Sequence, residues 1–175
     1  MEYTQEQNRA LCREYPFLDP NRRWDDTDFP EDAGSRAEPQ KENPDRDYSF
    51  TALDEMPDGW RIAFGKQLCD ELKAELERAG CLESYRILQI KEKYGALRWY
   101  DYGNTKAGYE ILAKYEEISA RTCICCGKPA TGITRGWISP YCDDCCPDED
   151  NNPIEESGYE KIIPLGEYFS MEEQA

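Results

Sequence analysis

Apolar residues recur at every fourth position from Trp60 through Phe64, Leu68 and Leu72 to Leu76. That spacing sets all five on one side of a helix, so the pattern predicts an amphipathic helix from about Asp58 to Ala79. Pro57 and Asp58 mark its start and Gly80 its stop. The period then changes to two. In Tyr85–Lys91, Tyr85 and Ile87 alternate with Leu88 and Ile90, and in Ala96–Tyr102, Leu97 and Trp99 alternate with Tyr100 and Tyr102. Lys93, Tyr94 and Gly95 form the turn of a hairpin between them. Both faces carry apolar or aromatic residues, and a lone hairpin is marginal in water, so it is expected to be covered on both sides. A second helix is expected from about Tyr109 to Ala120, with Ile111, Leu112, Tyr115 and Ile118 as its stripe.

The flanks read differently. Residues 1–56 are expected to be a mostly irregular, acidic, Pro-rich segment, because Pro16, Pro20, Pro30, Pro39 and Pro44 interrupt any period. Within it, Tyr15, Phe17, Leu18 and Trp24 form one apolar cluster that docks on the core or on a partner, and Tyr48, Phe50 and Leu53 form a second. Residues 57–120 make a helix–hairpin–helix core, residues 121–147 a cysteine module, and residues 148–175 an acidic tail. The expected fold class is α+β: two helices packed on a hairpin, with an appended ribbon and irregular acidic flanks.

Composition sharpens this picture. Apolar residues are 39% of the 175-residue chain and charged residues 33%, against about 45–50% and 25% in ordinary domains. The core is therefore modest. The Met1–Ala10 stretch has no apolar run of a signal peptide, and no run of about 18 apolar residues suggests a membrane span. A cytoplasmic protein is expected. The chain has no histidine, which excludes histidine-based triads and the metalloprotease helix motif. No nucleophile motif or phosphate loop is present, so no enzyme is expected.

Six of the nine cysteines fall between Cys123 and Cys146. Cys123 and Cys126 form one C-x2-C pair and Cys142 and Cys145 a second, with 15 residues between the pairs. A C-x2-C turn aims two sulfurs at one ion, and two such pairs at this spacing predict one structural Zn2+ ion in a closed four-thiolate site. Gly127 suits the positive φ such a turn needs and favours Cys126 over Cys125. Cys145 is preferred to Cys146 because it keeps the second C-x2-C, but both neighbours leave the register open. Cys12, Cys69 and Cys81 stand alone and read as small buried residues. The Thr131–Pro140 stretch reads as the strands of a zinc ribbon, with Trp137 and Ile138 packed on the helices.

Charge is segregated. Residues 1–56 carry 15 acids and 7 bases, residues 57–142 carry 11 and 13, and residues 143–175 carry 11 and 1. The balances are −8, +2 and −10, which make up the net −16. Such ends repel nucleic acid and attract basic protein surfaces. Asp148, Glu149, Asp150, Glu155 and Glu156 are the candidate partner-binding residues. In residues 86–135, nine bases against five acids are interleaved with Tyr94, Trp99, Tyr100 and Tyr102. That surface is the alternative candidate: direct binding of single-stranded nucleic acid.

Three stretches carry a resemblance: Gly59-Trp60-Arg61-Ile62-Ala63-Phe64-Gly65, the run from Gln89 to Tyr100, and Gly136-Trp137-Ile138-Ser139-Pro140-Tyr141-Cys142. Together they resemble a family of small zinc-ribbon proteins, without catalytic assignment, of phages, prophages and mobile elements of Gram-positive bacteria. The resemblance spans about residues 12–146. It implies an accessory role, such as inhibiting a host defence nuclease of the CRISPR type by occupying its nucleic-acid-binding site.

Overall fold

A computed structural model describes residues 3–22, 47–136, 138–146, 159–164 and 170. The fold is α+β, as the hydrophobic pattern predicts. The chain gathers into two units. One comprises residues 1–55, 67–90 and 99–112, and the other residues 56–66, 91–98 and 113–175.

The first unit begins with a helix that the sequence reading left irregular. Helix α1 spans Gln5–Glu14 and is fixed by a capping box. The Thr4 side chain accepts the Gln7 amide while the Gln7 side chain accepts the Thr4 amide. After short 3-10 turns at Pro16–Leu18 and Pro20–Arg22, Tyr15, Phe17 and Leu18 are all buried. Phe17 meets Tyr85 edge-on, with ring centroids 5.6 Å apart. The apolar cluster therefore docks on its own chain. Of the second cluster, Tyr48 and Leu53 are buried and Phe50 is exposed. Tyr85 donates to Asp101 Oδ2 and accepts from the Trp99 indole, at 2.7 and 2.8 Å. Asn104 donates to the same carboxylate oxygen at 2.7 Å.

The predicted long helix is present, in three consecutive parts: α2 (Asp58–Trp60), a π-helical turn (Arg61–Gly65) and α3 (Lys66–Ala79). All five stripe residues are buried. Each such large apolar side chain contributes about 1.5–3 kcal/mol.

Strands β1 (Arg86–Lys93) and β2 (Ala96–Tyr102) form the hairpin. Its turn is Tyr94-Gly95, with φ of 55° and 77°. Two central residues at positive φ make the type I′ geometry that matches strand twist. The expected cover on both sides is not found, since Leu88, Tyr100 and Tyr102 are exposed. The alternation of β1 breaks at Leu88 and Gln89, which are both exposed, so Ile87 and Ile90 are both buried. The Ile90 amide donates to Glu55 Oε2 at 2.9 Å.

Helix α4 spans Lys106–Ser119 and starts three residues before its predicted start. Thr105 caps it by accepting the Gly108 amide at 2.9 Å. Leu112 and Tyr115 are buried as expected, but Ile118 is exposed and Ser119 takes the buried position. Ser119 Oγ accepts the Leu97 amide at 2.8 Å, so a hydroxyl satisfies a buried backbone group there.

In the second unit, β3 (Gly132–Gly136) pairs antiparallel with β4 (Pro140–Tyr141), as read for a ribbon. A third strand was not expected. Strand β5 (Tyr159–Pro164) lies in the segment read as an acidic tail and pairs antiparallel with the other edge of β3. Among the described residues, no helix is long and apolar enough to cross a membrane.

Candidate metal centre

The site is built from two short loops. In the first, the Cys123 amide donates to the Lys128 carbonyl at 2.8 Å and the Gly127 amide to the Cys123 carbonyl at 3.0 Å. This reversal needs Gly127 at φ 78°, a conformation that costs glycine little. In the second loop, the amides of Cys145 and Cys146 both donate to the Cys142 carbonyl, at 3.1 and 2.9 Å. The Ile124 amide ties the first loop to β4 by donating to the Pro140 carbonyl at 2.9 Å. Lys128 and Asp144 link the two loops at the surface, at 2.7 Å.

These turns gather the sulfurs of Cys123, Cys126, Cys142 and Cys145 within 4.8 Å of one another. Cys126 Sγ and Cys142 Sγ are 3.5 Å apart, well beyond the roughly 2.05 Å of a disulfide. Four sulfurs set about 2.3 Å from one ion would be spaced about 3.8 Å apart. The gathered set fits that figure and can hold a metal ion. The four are the residues picked from the sequence. Of the two alternatives, Cys125 is exposed and Cys146 half-buried, and neither joins the cluster. Cys12 and Cys69 are buried as read, whereas Cys81 is half-buried.

The proton balance of the cluster also favours a cation. Burial opposes ionisation of Cys123, but the backbone amides of Cys126, Cys142 and Cys125 outweigh it and bring this thiol down to about 7. Hydrogen bonds with the sulfurs of Cys126 and Cys142, with burial added, push the Cys145 thiol up. Burial and a hydrogen bond with Cys126 raise Cys142 as well. One thiolate forms readily, whereas Cys142 and Cys145 resist following, because burial and hydrogen bonds with neighbouring sulfurs hold their protons. A bound divalent ion removes that conflict.

The residues that hold the loops in place were not read from the sequence as part of the site. The Gly59 amide donates to the Ile124 carbonyl at 2.9 Å. A Cβ on Gly59 would stand 2.2 Å from the Cys123 carbonyl oxygen, so no larger residue fits. The buried Trp60 indole donates to the Thr122 carbonyl at 2.9 Å. A Cβ on Gly127 would stand 2.5 Å from the Gly59 carbonyl oxygen and 3.1 Å from Ala63 Cβ. The first cysteine loop thus seats on α2 and the π-helical turn. Tyr141 packs with Cys123 and Cys142 in one buried cluster.

Asp148, Glu149, Asp150, Glu155 and Glu156, together with Trp24 and Trp137, lie outside the described residues. No known protein family, curated protein or solved structure matches the chain.

Proposed function

We propose that this chain is a non-enzymatic interaction protein whose cysteine centre holds one structural zinc ion. The closure of four protein sulfurs on one point carries this reading. A complete thiolate tetrahedron leaves no position for a reacting water, whereas a catalytic zinc keeps one open. Cys123, Cys126, Cys142 and Cys145 would hold the ion, which supplies folding energy and no reaction chemistry.

The partner is a basic protein surface, and the charge segregation supports that choice. The last 33 residues, which begin inside the second cysteine loop, carry −10, and these acids would stand in for phosphates. A nucleic-acid-binding defence nuclease of the CRISPR type, in a host cytoplasm, is the leading candidate and follows the phage-protein resemblance. Affinity purification from a lysogenic host tests this reading. It predicts a basic nucleic-acid-binding protein released by salt, since screening shortens to about 8 Å at physiological ionic strength.

One observation favours the alternative of direct binding to single-stranded nucleic acid. Tyr94, Tyr100 and Tyr102 are exposed on the basic central segment, and the Lys93 ammonium sits 5.3 Å from the Tyr94 ring centre. Salt-sensitive binding of an oligonucleotide by the purified chain, with no protein recovered, favours that alternative.

A further inference from the structure

The second pair of cysteines encloses two acids, Cys142-Asp143-Asp144-Cys145, and both reach the chain that leaves the first pair. The Lys128 ammonium donates to Asp144 Oδ2 at 2.7 Å, and the Thr131 hydroxyl donates to Asp143 Oδ1 at 2.5 Å. Lys128 is itself part of the first loop, since its carbonyl accepts the Cys123 amide at 2.8 Å. Backbone bonds tie the first loop and the chain after it to the strand that precedes Cys142, from the Ile124 amide to Pro140 and from the Thr131 amide to Tyr141, both at 2.9 Å. The two acids add side-chain ties on the stretch that follows Cys142. Charge gives Lys128 a second effect. Four thiolates around one divalent ion carry about −2 in all, and a carboxylate beside that centre is repelled unless a cation offsets it. The Lys128 ammonium is stabilised by Asp144 and also by the sulfurs of Cys126 and Cys142, so it offsets both.

We propose that the Lys128–Asp144 pair is a latch on metal exchange: closed, it holds the two cysteine loops together and slows departure of the ion that Cys123, Cys126, Cys142 and Cys145 would hold. The proposal rests on the reading of the centre as a zinc site. Lys128 and Asp144 are positioning residues, which act on the ion through the loops that carry its ligands. Their side chains are 63% and 72% exposed, so dissolved ions reach the pair and weaken it. Zinc retention therefore depends on ionic strength through this pair.

The test follows zinc transfer from the full-length protein to an excess of a chromogenic chelator, in low salt and in high salt. In low salt, Lys128→Gln should release zinc about threefold faster than the parent, the scale of one exposed ion pair. Adding Asp144→Asn to Lys128→Gln should bring no further acceleration, because the latch is already open. In about 1 M sodium chloride, where screening shortens to about 3 Å, parent and variants should converge. The latch is overturned if Lys128→Gln releases zinc as the parent does, if the double variant is faster still, or if the difference persists undiminished in high salt. Parent protein without zinc overturns the zinc reading and the latch together, whereas zinc-loaded parent with an unaltered Lys128→Gln variant overturns the latch alone.

Discussion

The Gly59 amide donates a 2.9 Å hydrogen bond to the Ile124 carbonyl, inside the first cysteine loop. The start of a core helix and the metal loop are therefore one structural unit. Gly59→Ala places a carbon 2.2 Å from one carbonyl oxygen and 2.6 Å from another, and both belong to backbone that must move. Overpacking of this kind costs about 1–3 kcal/mol. Thermal melts should show that loss, and competition with a chromogenic chelator should show weaker metal retention. An unchanged melt with unchanged retention would mean that the helix does not support the loop.

Trp60→Phe should also act on the loop. It keeps most of the buried ring but removes the N–H that satisfies the Thr122 carbonyl. An orphaned buried acceptor costs about 1–3 kcal/mol. Denaturant unfolding should report that range, and a change below about 0.5 kcal/mol would remove the indole bond from the account.

Leu72→Ala tests the core independently of metal. Leu72 is fully buried on α3, so the expected loss is about 2–5 kcal/mol, with metal content unchanged.

Two carboxylates of the first unit pull stability in opposite directions with pH. Hydrogen bonds from Arg78 and Thr105 lower Glu75 below the usual carboxylate range. Its contribution is complete above the ordinary value and is lost as pH falls through the lowered one. Burial raises Asp101, although Tyr85 and Asn104 donate to it. Its contribution is complete below the ordinary value and is lost as pH rises through the raised one. In urea midpoints taken at neutral and acid pH, Glu75→Gln should shrink the acid loss and Asp101→Asn should deepen it. The same sign for both variants would contradict these assignments.

Elements with a strong period were legible in the sequence. The stripe from Trp60 to Leu76 announced its helix, and the two-residue period on either side of Lys93-Tyr94-Gly95 its hairpin, although Lys93 belongs to β1 and the turn itself is Tyr94-Gly95. Helix α1 was missed because Gln5–Glu14 has no apolar stripe; its start is marked instead by the Thr4 and Gln7 capping pair. Strand β5 was missed because a short apolar segment in an acidic stretch gains its meaning only from pairing with β3. At the candidate site the cysteine spacing picked out all four sulfurs of the cluster, since that spacing is itself the geometry of the turn. The buttresses were invisible for the opposite reason. Trp60 and Thr122 are 62 residues apart, and nothing local to either marks the contact.

The metal is the claim on which the functional reading stands, and sulfur coordination tests it most directly. Elemental analysis of freshly purified protein should give about one zinc per chain, and X-ray absorption should give four sulfur neighbours at about 2.3 Å with no oxygen or nitrogen. Cys126→Ser should lose the ion, while Cys125→Ser, which changes an exposed thiol outside the cluster, should keep it. Protein that carries no zinc, or zinc with a water-occupied fourth position, would contradict a closed structural centre.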